Sequence, residues 1–207
     1  LGDYIDRGYE SAAVIDHLLN PATCELSRHF VRGNHEQMFA DFLSAPSLNA
    51  NWLHYGGSET LRSYGLYLDD LPNSRHLRAA IASYIPAAHR TFLSRLEDGY
   101  ALPVAGVIGG QVLFVHAGID PELPISCQSV DALRWIRQPF LSTPRPNGPL
   151  VVHGHTKVIA PEIHQDRINI DTGAGFNGLL SAVRLDAIGE VTFLSVSHNA
   201  VTLNGIT

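Results

Sequence analysis

The 207-residue sequence is poor in cysteine, has no excess of positive charge and contains no long apolar run. Its two cysteines, Cys24 and Cys127, lie far apart, with neither a CxxC pair nor a metal-ligand spacing. That argues against a disulfide scaffold and a thiolate zinc site, and it reads as two free thiols in a reducing compartment. The expected location is therefore cytoplasmic. The formal net charge is −6, whereas non-specific nucleic-acid binding wants a basic face, so no nucleic-acid partner is expected. No stretch approaches the ~20 apolar residues of a membrane span, so no membrane partner is expected either. What remains is an ordinary globular balance, 45% hydrophobic and 16% charged. The length suits one domain with a sizeable core, or a domain with a small insertion.

Apolar spacing from Ser11 to Leu19 predicts a helix stopped by Pro21. Phe30 and Val31 predict a short buried strand broken at Gly33, and Glu36–Leu43 a second helix. Residues 44–86, with Pro46, Gly56-Gly57 and Pro72, read as a mostly helical, loop-rich insertion. His89–Leu96 predicts a further helix, ended by Gly99. Beyond residue 100 the pattern turns to strands: Leu102–Ile108, Val112–Val115, Leu150–Val152, Ile168–Ile170, Ser181–Leu185 and Val191–Val196. Strand–helix alternation followed by strands predicts a layered α/β fold with mixed sheets.

Four short clusters carry possible chemistry: Gly2-Asp3-x-x-Asp6-Arg7-Gly8, Gly33-Asn34-His35-Glu36, His116-Ala117-Gly118 and His153-Gly154-His155-Thr156. Taken singly, each has a structural reading: a turn with an N-cap, a turn before a helix, or a strand-end core histidine. The ordered combination is far more specific. Each follows an apolar run that reads as a strand, and in layered α/β folds the carboxyl ends of strands form the ligand crevice. The donors are carboxylate, amide and imidazole, a set that suits Mn, Fe or Zn. A carboxylate such as Asp3 can bridge two ions, and Arg7 offers a planar fork for two phosphate oxygens.

In this order, GDYIDRG, GNHE, FVHAGIDP, ALRWIR, VVHGHT and INIDTG resemble the PPP-type serine/threonine phosphatases of the calcineurin-like metallophosphoesterase superfamily, in their small bacterial and phage form. The resemblance implies a single α/β metallophosphoesterase domain over 1–207, its mixed β-sheets sandwiched by helices, with the insertion at about 44–86. It implies two divalent metal ions and hydrolysis of phosphate monoesters, on phosphoprotein or small phosphoesters, by a metal-activated water. Asp3 would bridge both metals, and Asn34, His116 and His155 would complete the second site, all four converging at strand ends. His35 would be the general acid, tuned by Asp6. Arg7 and Arg137 would bind phosphate oxygens. His153 is expected to pack or support rather than ligate, and Asp171 to brace the site.

The family's first motif, Gly-Asp-x-His-Gly, is not in the sequence, although it should precede Gly2 by a strand and helix. The expectation is thus of a truncated product with its first metal site incomplete and its first strand and helix missing. Two other readings stand beside the phosphatase. One is a symmetrical dinucleoside tetraphosphate hydrolase, a group that usually carries Ala where this chain has Asp6. The other is a non-catalytic fragment.

Overall fold

A computed structural model describes residues 1–20, 26–67, 69, 77–197 and 200–206. Pro21, Cys24 and Pro72 lie outside the described residues, and Cys127 is exposed and free. The chain divides into two compact units, Gly2–Leu96 and Glu97–Thr207, with Leu1 belonging to the second.

The first unit is helical: α1 Ser11–Leu19, α2 Asn34–Ser44, a 3-10 turn Ala50–Tyr55, α3 Gly57–Ser63, α4 Leu77–Tyr84 and α5 Ala87–Ser94. Phe39 and Phe42, one turn apart on α2, are buried together with Trp52. The Trp52 ring stacks on Phe39 at 4.8 Å and 25° and tilts against Phe42 at 4.8 Å. Ile15 of α1, Leu61 of α3, Ile81 of α4 and Phe92 of α5 belong to the same core. The strand expected at Phe30–Val31 does not form; Val31 makes an isolated bridge only. A short apolar run becomes a strand only where a neighbour offers a ladder, as Arg167–Asn169 does for the two-residue strand Glu162–Ile163.

The second unit holds β1 Gly99–Pro103, β2 Gln111–Val115, α6 Val130–Trp135, β3 Leu150–His153, β4 Glu162–Ile163, β5 Arg167–Asn169, α7 Ala174–Asn177, β6 Leu180–Leu185, β7 Val191–Ser197 and β8 Ala200–Ile206. A five-stranded sheet runs β1-β2-β3-β5-β4, and a three-stranded sheet runs β6-β7-β8. In the larger sheet β2, β3 and β5 are parallel, and β1 and β4 pair antiparallel at its edges.

Alternation along the strands explains the layering, because successive side chains point to opposite faces. Val112, Val152 and Ile168 pack with Val191 and Phe193 of the smaller sheet. Leu113, Val115 and Val151 face the other way, onto Phe140 and the α6 segment through Leu133 and Ile136. Fully buried side chains of this size contribute roughly 1.5–3 kcal/mol each. The mixed α/β architecture with a mixed sheet flanked by helical structure is the one expected.

Two strand expectations shift. The run expected as Leu102–Ile108 enters the sheet as Gly99–Pro103, paired Gly99↔Val115 to Pro103↔Gln111. Pro103 ends the edge strand, and the chain then folds back, with Val104 N–H donating to Gly110 C=O at 3.1 Å. Val104 and Val107 pack under the sheet instead of extending it. The short β4 and the polar-interrupted β8 carry no alternation strong enough to have been expected.

Candidate metal and phosphate site

In the first unit, the Gly2–Gly8 loop is held in a conformation that few side chains adopt. Asp3, Asp6 and Arg7 have φ of 55°, 73° and 59°. Such left-handed residues are disfavoured by roughly 1–3 kcal/mol each and persist only where surrounding bonds determine them. Those bonds come from two directions. The Glu36 carboxylate accepts the N–H groups of Asp3 (2.9 Å), Tyr4 (2.7 Å) and Gly33 (2.8 Å). The Thr60 hydroxyl oxygen accepts the Asp6 N–H at 2.8 Å. Glu36 thus ties the loop to the start of α2. Its burial, followed by the negative charge of Asp3, pushes its pKa up to about 7, against the opposing pull of the three N–H groups.

The Asp6 carboxylate is buried and fully engaged. Thr60 Oγ1 donates to its Oδ1 at 2.7 Å, while Trp52 Nε1 (2.8 Å) and His35 Nδ1 (2.5 Å) both donate to Oδ2. Because the carboxylate accepts, the Nδ1 of His35 carries the hydrogen. Its Nε2 then lies 3.9 Å from Asp3 Oδ2. Burial alone would lower the His35 pKa. The hydrogen bond to Asp6, with the charges of Asp3 and Asp6, outweighs it and holds the imidazole above its ordinary value.

Asn34 opens α2 and is buried, and the His35 N–H donates to Asp3 Oδ1 at 3.2 Å. A Cβ on Gly33 would lie 2.2 Å from Asp3 Oδ1, so only glycine lets the two clusters approach this closely. Asp3, Asp6, Asn34 and His35 therefore belong to one constellation within this unit, with Arg7 exposed at its edge.

In the second unit, His116 directly follows β2 and His153 ends the adjacent parallel β3. Gly154 N–H donates to His116 C=O at 2.8 Å, locking the two strand ends together. His116 Nδ1 donates to the Leu1 carbonyl at 2.8 Å, which leaves Nε2 as a lone-pair donor. That nitrogen lies 3.2 Å from His155 Nδ1. Two imidazole nitrogens facing each other, one ring fixed by a carbonyl behind it, form the kind of pair that fits a divalent ion.

His153 and His155 do not share a strand face as simple alternation would have them. The strand stops at His153, and His155 turns away with φ 63°. His153 is buried, with its ring 5.0 Å from Phe140, its Nδ1 donating to Gly154 C=O at 3.1 Å, and no partner for Nε2 among the described residues. Burial is the leading reason its pKa falls to about 4, so it packs as a neutral ring. Asp171 braces the neighbouring loop: its carbonyl accepts Val158 N–H at 2.9 Å, and its Oδ1 accepts Gly173 N–H at 2.9 Å.

Arg137 is exposed, two residues beyond the end of α6. Arg134, in the same ALRWIR motif, is buried and paired with Asp98, which makes it a structural cation. Sequence reasoning gave no role to three residues of the first constellation. Glu36 had a signal, being an acid at the third helical position after Gly33. Trp52 and Thr60 had none, since they lie in the stretch read as an insertion.

The expected strand ends hold for His116 and His153–His155. They do not hold for Asn34, which opens α2 after the isolated bridge at Val31. Among the described residues, no helix is long and apolar enough to cross a membrane.

Residues 1–175 match the family model of the calcineurin-like phosphoesterases, a match that runs through both units. A PP2A-like serine/threonine-protein phosphatase of Candida albicans is 31% identical over 138 residues, covering 66% of this chain and 24% of its own length. The chain thus spans about a quarter of that relative. An asymmetrical bis(5'-nucleosyl)-tetraphosphatase of Geobacillus thermodenitrificans is 28% identical over 212 residues, covering 95% of this chain and 77% of its own. Calcineurin-like phosphoesterases bind divalent metals, and the family match covers every donor described above. The chain belongs to the calcineurin-like phosphoesterases, the superfamily that includes the PPP-type phosphatases its motifs resemble.

Proposed function

We propose that the protein hydrolyses phosphate monoesters, with phosphoserine and phosphothreonine in proteins as the substrate class, and that both units act as one catalytic domain. The observation that supports this most is the His35–Asp6 pair. An imidazole held by a buried carboxylate, with its second nitrogen directed toward Asp3, is a general acid in waiting. We further propose that Asp3, Asn34, His116 and His155 serve as ligands of a divalent-metal centre of Mn, Fe or Zn.

Such ions, when bound, supply an acidified water as nucleophile and neutralise charge on the transferring oxygens. The chain's own residues do the rest. Arg7, and Arg137 as the second arginine, would grip phosphate oxygens with planar guanidinium forks. As water attacks phosphorus and the P–O bond to the alcohol breaks, His35 Nε2 delivers its proton to the leaving oxygen. Asp6, on the opposite ring nitrogen, keeps the ring oriented and favours its charged form before transfer. The raised His35 pKa favours the protonated form that a general acid needs.

The test is His35→Asn in the metal-loaded protein, with alkyl and activated aryl phosphates compared. General acid catalysis typically contributes ~10²–10⁴-fold, and an activated leaving group needs less of it. The alkyl ester should therefore lose far more rate than the aryl ester; equal losses would remove His35 from that role.

A second reading, hydrolysis of dinucleoside tetraphosphates, is favoured by the Geobacillus relative, whose alignment covers 95% of this chain. That relative is of the asymmetrical kind, whereas the alternative weighed from the motifs is the symmetrical kind. Parallel assays on a phosphoseryl peptide and a dinucleoside tetraphosphate separate the two readings. A metal count of two ions per chain would favour an enzyme, and one or none the non-catalytic fragment.

A further inference from the structure

Of the chain's fourteen basic residues, thirteen are arginine and one is lysine. The lone lysine is Lys157, two residues past His155 in the loop that leaves β3. Its side chain is exposed, yet it is not loose. Nζ sits 3.4 Å from the centroid of the Phe176 ring, and Phe176 is itself 59% exposed. The stem lies along Gly173, where an added Cβ would stand 3.4 Å from Lys157 Cδ.

Both sides of this platform are fixed. Asn169 Nδ2 donates to Thr156 C=O at 2.8 Å, and Val158 N–H donates to Asp171 C=O at 2.9 Å, so Lys157 is clasped before and after. Asn177 Nδ2 donates to Thr172 C=O at 2.8 Å, closing the turn that carries Phe176. In the same unit, Arg134 and Arg167 are committed to Asp98 and Asp166. Among the described residues, no carboxylate forms an ion pair with Lys157.

We infer that Lys157, presented on Phe176, binds a second anionic group of the substrate, a phosphate or carboxylate beside the scissile phosphoester. The inference rests on the phosphoesterase reading and adds a substrate class to it: phosphoesters carrying further negative charge close by. An aromatic face holds an ammonium weakly and keeps it extended without quenching its charge. A phosphate or carboxylate oxygen can then draw it off the ring through charge-assisted hydrogen bonds. On a chain with net charge −6, a cation two residues beyond His155 also offsets general repulsion of polyanions.

Two measurements test this. In the first, kcat/KM is determined on a phosphoseryl peptide with acidic flanking residues and on the same peptide with alanine flanks. A dinucleoside tetraphosphate forms a third arm, distinguishing phosphate from carboxylate as the second anion. Lys157→Gln should lower the acidic-to-neutral ratio by about three- to fivefold, the scale of an exposed ion pair, and Lys157→Arg should restore it. A variant that had merely lost stability would lower both peptides together and leave the ratio intact, and an unchanged ratio overturns the inference.

The second measurement does not depend on turnover. With one lysine in the chain, acetylation at that position can be followed by mass spectrometry without competition from other lysines. Inorganic pyrophosphate should slow it by about threefold; equal rates with and without pyrophosphate overturn the inference. Absence of hydrolysis on every substrate, including an aryl phosphate, would count against the phosphoesterase reading alone, and the acetylation result would still decide the role of Lys157.

Discussion

Replacing Thr60 by valine isolates the buttress of the Asp6 loop, because valine has nearly the same shape and lacks only the hydroxyl. Thr60 is fully buried, so the exchange leaves no cavity of consequence. Its oxygen makes two contacts with Asp6, donating to Oδ1 at 2.7 Å and accepting the N–H at 2.8 Å, and a longer one with Ser11 Oγ at 3.2 Å. The first is a hydrogen bond to a buried carboxylate, worth ~1.5–3 kcal/mol. The second is partly recovered, since Ser11 Oγ stands 3.2 Å from the same N–H, and its loss adds about 0–1 kcal/mol. The expected destabilisation is therefore about 2–4 kcal/mol, a large share of a typical ~5–15 kcal/mol. Thr60→Ser is the matched control: it keeps the oxygen and loses one methyl group, at about 1 kcal/mol. Urea unfolding followed by tryptophan fluorescence suits the purpose, because Trp52 donates to the same carboxylate at 2.8 Å. The reasoning requires valine to be clearly less stable than serine. If valine equals or exceeds serine, side-chain packing rather than the hydroxyl holds the loop, and the account of Asp6 is wrong.

Gly56 has φ 107°, and a Cβ there would stand 2.3 Å from Arg7 N; Gly56→Ala should destabilise by at least about 2 kcal/mol, and a change within about 0.5 kcal/mol in the same unfolding assay would contradict that. For His153 the direction in pH follows from its pKa, about 4 in the folded protein against an ordinary 6.5. Between those values the unfolded chain binds the proton and the folded chain does not. The contribution of His153 is thus intact above pH 6.5 and is lost as pH falls toward 4, by about 3 kcal/mol in total. His153→Phe keeps a ring against Phe140 and should flatten that part of the stability profile; an unchanged acid slope would show that other groups set it.

The sequence by itself named the candidate site residues. Asp3, Asp6, Asn34, His35, His116 and His155 were legible because each sits in a short run of glycine and polar residues whose order is specific. The helix at Ser11–Leu19 and the strands β2, β3, β5, β6 and β7 were legible because their apolar spacing is regular over several residues. Three things were decided by tertiary structure. Phe30–Val31 forms no strand, because a ladder depends on neighbours that local sequence does not name. His155 leaves the face of His153, because a single left-handed φ, invisible in composition, breaks the alternation. Asp6 is held by Thr60 and Trp52, more than forty positions away in a stretch without any motif. A buried carboxylate needs donors from wherever the fold brings them, and only the packed chain determines which side chains those are.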